Sequence, residues 1–133
     1  MTIVRRLLAF NLVGALGIAV QLGCVWLLTH LAHVPGSVAA AAGVALTVAH
    51  NFAWHRNWTW RDRRSGTRAF ARFVLSNGAV SLLGSVGIVA ALGWALGAEP
   101  VAANAVAIAV CGLVNFWLGD AYVFQTQARG GEG

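Results

Sequence analysis

Charged residues are scarce in this chain of 133 residues. They make up 10% of the sequence, whereas a soluble domain carries about 25%. Lysine is absent, so all nine basic residues are arginines, and only four residues are acidic. Such a chain has too few polar groups to cover a soluble globular surface. Its hydrophobic content of 59% and its mean hydropathy of +0.72 indicate a membrane protein instead.

Patterns typical of catalytic and metal sites are also lacking. We find no nucleophile with an adjacent base and no glycine-rich phosphate loop, and His30 and His33 stand apart from any cysteine. The apolar runs contain no central carboxylate, since Glu99 lies in a turn and Asp120 near a helix end. This argues against a small proton-coupled exporter, which needs such a group. We expect a protein that is not an enzyme and that uses no cofactor and no metal.

Four apolar segments are long enough to cross a membrane as helices, which takes roughly 20 residues each. The predicted spans are 7–31, 37–54, 73–96 and 101–123. Arginines lie before the first span, in the loop 55–72 and after the fourth span, whereas the two short turns contain none. The positive-inside rule then places this loop and both termini in the cytoplasm. The sequence predicts an all-α polytopic protein with four transmembrane helices in a single domain over residues 1–133.

The ends of the second and fourth spans repeat one pattern. Both copies read Asn-Phe, five residues, an aromatic, one residue and a second aromatic; their members are Asn51, Phe52, Trp58 and Trp60, and Asn115, Phe116, Tyr122 and Phe124. The offset is 64 residues (115 − 51), and other pairs such as Gly14 and Gly78 share it. Each copy holds two spans, so both copies enter the membrane from the same side. We therefore predict two parallel two-helix repeats, related by an axis near the membrane normal.

Small residues recur at four-residue spacing along three of the spans. The stripes are Ala39, Gly43, Thr47 and Asn51 in the second span, Ala103, Ala107, Cys111 and Asn115 in the fourth, and Ala15, Ala19 and Gly23 in the first. Such stripes let helix backbones approach closely in lipid. They predict three packing faces and place both asparagines in the interior.

Several polar and aromatic residues at the arginine-rich end have two readings. Asn51 and Asn115 either bind a ligand or hydrogen-bond between helices. Arg56 either pairs with Asp120, which occupies the matching position of the other repeat, or holds a phosphate. The aromatics form either an interfacial belt or a groove for an isoprenoid chain. The predicted substrate-binding residues are Asn51, Phe52, Arg56, Trp58, Trp60, Asn115, Phe116 and Asp120.

The run Arg61-Asp62-Arg63-Arg64 is expected to be a solvated loop near anionic lipid headgroups. It is too short to form a nucleic-acid recognition fold, so no nucleic-acid partner is expected.

The chain resembles the GtrA-like family of small bacterial membrane proteins, from about Arg5 to Phe124. The residues that carry the resemblance are Phe10, Gly14, Asn51, Phe52, Arg56, Trp58, Trp60, Phe73, Asn115, Phe116 and Phe124. The family's signature usually ends in Phe, where the first copy here has Trp60.

This resemblance implies a multi-pass protein of the bacterial cytoplasmic (inner) membrane. Its implied function is to move polyprenyl-phosphate-linked sugars across that membrane for cell-surface polysaccharide synthesis. The alternative is a non-catalytic accessory or anchoring subunit of a polyprenyl-phosphate glycosyltransferase. The implied partners are the polyprenyl-phosphate carrier and a membrane glycosyltransferase. Because four helices are few for a transport path, we also predict a parallel homo-oligomer.

Overall fold

The computed structural model describes residues 1–63, 65, 66 and 68–125. These residues form helices and turns without a β-strand, which confirms the predicted all-α class. The α-helices are α1 (Ile3–His30), α2 (Gly36–Trp54), α3 (Ala69–Ala79), α4 (Ser85–Leu96) and α5 (Pro100–Leu118). Three π-helical segments continue them without a break: His55–Thr59 after α2, Val80–Gly84 between α3 and α4, and Gly119–Val123 after α5.

Four continuous helical stretches are long and apolar enough to cross a membrane. They are Ile3–His30, Gly36–Thr59, Ala69–Leu96 and Ala102–Val123. The number of spans agrees with the prediction. The first stretch begins four residues earlier than predicted, at Ile3. The second and third are also longer than predicted at the arginine-rich end, since the second continues to Thr59 and the third begins at Ala69. The connection between them is therefore shorter than the expected loop 55–72.

Local chemistry fixes the ends of these stretches. The Thr2 hydroxyl accepts a hydrogen bond from the Arg5 amide and caps α1. Gly97 ends α4 in the left-handed conformation with φ 61°, which glycine adopts without steric cost. The Glu99 carboxylate then accepts a hydrogen bond from the Ala102 amide at 3.0 Å and caps the start of α5. These caps satisfy backbone groups that the helices leave open at their ends.

The chain divides into two compact units, Met1–Asp62 and Arg63–Gly133, which coincide with the two predicted repeats. In the first unit, contacts join Phe10 to His55 and Gly17 to Asn51, so later residues of α1 face earlier residues of the second stretch. The two helices are therefore antiparallel. In the second unit, the Phe73–Phe124 and Gly84–Cys111 contacts show the same order. Each unit is thus one antiparallel helix pair; the parallel arrangement of the repeats and the cytoplasmic position of the termini stay predictions.

The second helix of each pair packs through its predicted stripe. Ala39 and Gly43 are buried in α2, as are their counterparts Ala103 and Ala107 in α5 and Cys111 one turn further along α5. Their small side chains bring the partner helix close, as at Gly43, where a Cβ would lie 3.2 Å from the Gln21 carbonyl oxygen.

The stripe predicted for the first span does not pack within its helix pair. Ala15, Ala19 and Gly23 are exposed, and the buried residues of α1 are Ala9, Val13 and Gly17. Both sets repeat every four residues, so spacing alone does not choose between them. Packing decides it at Gly17, because any side chain there would overlap the Asn51 amide.

Candidate functional site

Both helix pairs end in the same unusual turn. The π-helical segments His55–Thr59 and Gly119–Val123 stand 64 residues apart, which is the repeat offset. Each is closed by a hydrogen bond from an amide to a carbonyl five residues earlier, Trp60 to His55 at 2.8 Å and Phe124 to Gly119 at 3.0 Å. Short π-helical turns inside α-helices often occur at functional sites. The arginine-rich ends of the two pairs, hereafter the basic ends, are therefore candidate functional sites.

The last aromatic of each signature is a core residue. Trp60 is 0% exposed and Phe124 is 1% exposed. Trp60 lies edge-on to Phe10 and His55, with ring centroids 6.2 and 5.4 Å apart, and Phe124 lies 6.3 Å from Phe73. The prediction that Trp60 contacts substrate is therefore not supported by its position, because its ring is enclosed by protein. The same holds for Phe116, which is buried in the second unit.

A buried histidine, which the sequence analysis did not single out, supports Trp60. His55 stacks on Phe10 with ring centroids 4.8 Å apart, and its Nδ1 lies 3.1 Å from the Thr59 hydroxyl. His55 and Thr59 are both buried. Their four-residue spacing within the signature, next to Trp58 and Trp60, was the available signal. The pair satisfies two polar groups inside the first π-helical segment.

The two signature asparagines lie inside their helix pairs. The Asn51 amide rests against Gly17, and its Oδ1 lies 3.1 Å from His50 Nδ1. Asn115 Nδ2 donates a hydrogen bond to the Ser81 hydroxyl at 3.0 Å. Gly17 and Ser81 are themselves 64 residues apart, so each asparagine meets the matching position of its own first helix. Both asparagines thus face the other helix of their own pair; their place in the bundle as a whole and their role as ligands stay predictions.

Asn115 also has a free acceptor. Its Oδ1 is buried and has no hydrogen-bond partner among the described residues. Ser81, which binds its Nδ2, lies in the π-helical segment Val80–Gly84. One turn away, the Cys111 thiol donates to the Val80 carbonyl at 3.4 Å. The second unit therefore contains a small polar cluster within its membrane-spanning stretches.

Asp62 is exposed, as expected for the run Arg61 to Arg64, and it also forms an ion pair. Its Oδ2 lies 2.5 Å from Arg6 Nη2. Partial desolvation acts to raise the pKa of Asp62, but the hydrogen bond and charge of Arg6 outweigh it, so the pKa lies below its usual value. This pair ties the chain after the first π-helical segment to the start of α1.

Asp120 has a partner that the sequence did not predict. Arg63 Nη2 lies 3.0 Å from the Asp120 carboxylate, and Arg63 Nη1 donates to the carbonyls of Asp120 and Phe124. Both side chains are partly buried. The expectation of a solvated run from Arg61 to Arg64 is therefore wrong for Arg63. Arg56 and Asp120 belong to different units, and their predicted pairing stays a prediction.

The outer aromatics of the two signatures, Trp58 and Tyr122, have different contacts within their own units. Trp58 is half-buried and lies edge-on to Trp54 with ring centroids 6.0 Å apart. In the second unit, the Arg72 guanidinium lies 5.1 Å from the ring centroid of Tyr122, a cation–π contact. Arg56 is exposed at the first basic end. Within the described residues no group of three or more His, Cys, Asp or Glu side chains is arranged to hold a metal.

These features define a small multi-pass membrane protein whose two helix pairs end in matching asparagine-and-aromatic turns. The sequence model of the GtrA/DPMS transmembrane domain family matches residues 9–124, and the chain belongs to this family. A dolichol-phosphate mannosyltransferase from Pyrococcus furiosus is 36% identical over 64 residues. Those residues are 48% of this chain and 18% of that enzyme, so the chain spans less than a fifth of the relative's length.

Proposed function

We propose that this protein moves polyprenyl-phosphate-linked sugars across the bacterial cytoplasmic membrane and is not itself an enzyme. Membership of the GtrA/DPMS transmembrane domain family supports a membrane role linked to such lipids. The similar mannosyltransferase is named for dolichol phosphate, which is a polyprenyl phosphate. The similarity covers 18% of that enzyme, so its activity does not carry over.

The observation that carries this proposal is the unpartnered Oδ1 of Asn115. A buried acceptor without a hydrogen bond costs about 1–3 kcal/mol, and native proteins have few of them. A sugar that crosses the hydrocarbon region needs partners for its hydroxyls, because lipid offers none. The Asn115 oxygen and the exposed Ser81 hydroxyl are groups of the required kind, held together at a π-helical segment.

A transbilayer movement assay tests the proposal. The purified protein is placed in vesicles with a fluorescent, short-chain polyprenyl-phosphate sugar, and a membrane-impermeant quencher reports exchange between leaflets. The protein should accelerate exchange above the rate of protein-free vesicles. An equal rate with folded protein would contradict the proposal.

The variant Asn115→Leu should slow this exchange by about tenfold. One hydrogen bond to the sugar contributes about 1.4 kcal/mol, and a loss of that size changes a rate or an equilibrium constant by a factor of about ten. Asn11→Leu is the matched control, because the Asn11 amide is exposed and donates to the Leu7 carbonyl of its own helix. It should leave the rate unchanged. Equal thermal midpoints of the two purified variants would show that Asn115→Leu does not act by unfolding the protein.

A second candidate is the accessory subunit of a polyprenyl-phosphate glycosyltransferase. The match to part of a mannosyltransferase favours it, because a related membrane segment there belongs to an enzyme. This candidate predicts stable co-purification with a glycosyltransferase, loss of that enzyme's activity on deletion, and no lipid movement by the protein alone. The vesicle assay thus separates the two candidates.

A further inference from the structure

The first unit contains an open groove at its basic end. It has a volume of about 280 Å³ and is lined by Met1, Arg5, Leu8, Ala9, Leu12 and Trp58. Arg5, Leu8 and Leu12 follow one another at spacings of three and four residues, so they share one face of α1. Trp58, in the π-helical segment, lies across from them. The groove therefore has a cation at one end and apolar walls along its length.

The positive charge at this groove is only partly compensated. Residues 1–62 contain four arginines and a single acidic residue, Asp62. Asp62 pairs with Arg6, the neighbour of Arg5, and its Oδ2 also lies 3.5 Å from the N-terminal ammonium of Met1, which lines the groove. Arg5 itself is exposed, and no ion pair to it occurs within the described residues of the chain. An anion near Arg5 would be favoured, and a guanidinium suits the oxygens of a phosphate.

The apolar walls of the groove favour an anion that is attached to a hydrocarbon chain. Leu8 and Leu12 are exposed toward the groove, and Trp58 adds an amphipathic ring, which suits the boundary between headgroups and hydrocarbon. The volume lies just below the roughly 300–1,000 Å³ of ordinary small-molecule pockets. It fits a phosphate and the adjoining part of a chain, with the rest of the chain in the bilayer.

In the second unit, the position that matches the groove is covered by the side chain of Arg72. Tyr122 corresponds to Trp58 (122 − 64), and the Arg72 guanidinium covers its ring at 5.1 Å. The residue that corresponds to Arg72 is Leu8 (72 − 64), which lines the groove. The first repeat thus presents an apolar wall and an open aromatic where the second has an internal cation–π contact.

We propose that the groove of the first unit binds the phosphate end of a polyprenyl phosphate, with Arg5 on the phosphate and Leu8, Leu12 and Trp58 around the first isoprene units. This inference rests on the proposed function and deepens it, since it names the lipid's seat. It moves the phosphate ligand from the predicted Arg56 to Arg5, because Arg5 is the arginine that lines the groove.

Binding to the full chain in detergent tests the headgroup contact. The probe is a polyprenyl monophosphate, measured by native mass spectrometry over a titration, with the corresponding polyprenol as the uncharged comparison. Arg5→Gln should weaken binding of the monophosphate about tenfold to a hundredfold, as expected for loss of hydrogen bonds to a charged group, and should not affect the polyprenol. Arg61→Gln removes the same charge from an exposed residue outside the groove and should change binding less than twofold. Equal losses in the two variants would overturn the proposal.

The chain contact is tested separately. Leu12→Ala should weaken binding of both the monophosphate and the polyprenol severalfold, whereas Leu16→Ala, one turn further along α1 and outside the groove, should leave both unchanged. Competition then identifies the source of the phosphate. Displacement by inorganic phosphate or by phosphatidylglycerol at concentrations equal to the probe would show a general anion or phospholipid site and would refute the proposal.

The vesicle assay distinguishes failure of this site from failure of the proposed function. Binding that depends on Arg5, with no accelerated exchange in vesicles, would keep the site and reject translocation. Accelerated exchange that Arg5→Gln leaves unchanged, together with unchanged binding, would keep translocation and reject the site.

Discussion

Replacing Gly17 with alanine tests the contact that fixes the first helix pair. A Cβ at Gly17 would lie 2.3 Å from Asn51 Oδ1, 2.8 Å from Nδ2 and 2.9 Å from Cγ. All three atoms of the amide group are thus closer than a Cβ tolerates, so a small rotation of its tip gives no relief. Asn51 has to leave its place and its contact with His50, or the helices have to separate.

The size of the effect follows from a comparison within α1. Alanine is favoured over glycine in a helix interior by about 0.5–1 kcal/mol, and Gly14→Ala should gain about this much because nothing lies within 4 Å of its added Cβ. Gly17→Ala has the same gain in helix propensity, but its methyl group overpacks the contact with Asn51, which costs about 1–3 kcal/mol. The helix propensity cancels between the two variants. Gly17→Ala should therefore be less stable than Gly14→Ala by about 1–3 kcal/mol.

The assay is equilibrium unfolding of purified protein by titration with a denaturing detergent, followed by circular dichroism. Adding Asn51→Ala to Gly17→Ala removes the amide that the new methyl group meets, so the double variant should regain much of the loss relative to Asn51→Ala alone. Equal stabilities for Gly14→Ala and Gly17→Ala would refute the reasoning. So would strictly additive effects of Gly17→Ala and Asn51→Ala.

Two further predictions use the same unfolding measurement. Because the pKa of Asp62 lies below its usual value, its pair with Arg6 stabilises the protein above the unfolded-state pKa of about 3.9 and is lost as the pH falls through the folded-state pKa. The stability difference between the wild type and Asp62→Asn should therefore shrink between pH 6 and pH 3, and a constant difference would contradict this account. Trp60→Ala and Phe124→Ala should each lower the free energy of unfolding by about 3–5 kcal/mol, because both rings are fully enclosed. Trp94→Ala is the control and should cost far less, because that ring is 90% exposed. Similar losses of stability in all three variants would show that the enclosed aromatics do not hold the pairs together.

The four spans and the interior asparagines were predictable because their signals are local or duplicated. Apolar length alone identifies a spanning helix. Asn51 and Asn115 each end a stripe of small residues, and the second copy checks the first. A stripe of small residues that occurs twice, 64 residues apart, indicates the packing face of both helices, and the buried residues of α2 and α5 lie on that face.

The face of α1 was not predictable in this way. Small residues lie on more than one side of that helix, so Ala15, Ala19 and Gly23 form as regular a stripe as the buried set. The choice depends on which atoms of the second helix arrive opposite, and the Asn51 amide needs the space above Gly17. That information is tertiary, and spacing within one helix does not contain it.

The partner of Asp120 was missed for a related reason. Four arginines lie between residues 56 and 64, and their charges are equivalent in the sequence. Arg63 reaches Asp120 in the structure, where it also donates to the carbonyl oxygen of Phe124 at the end of the π-helical segment. The i→i+5 bonding of that turn sets where the carbonyl and the carboxylate stand. Neither the turn nor its geometry has a sequence signal that separates Arg63 from its neighbours.

The two repeats differ where a ligand would matter and agree where packing matters. Gly17 and its counterpart Ser81 each contact the asparagine of their own unit, and the last aromatic of both signatures is buried. At the basic ends the agreement stops, because Leu8 lines an open groove while Arg72 covers Tyr122. A pair of identical repeats would bind one ligand twice. The proposed phosphate site of the first unit and the unpartnered Asn115 acceptor of the second are different features, and the Arg5 and Asn115 variants test them separately.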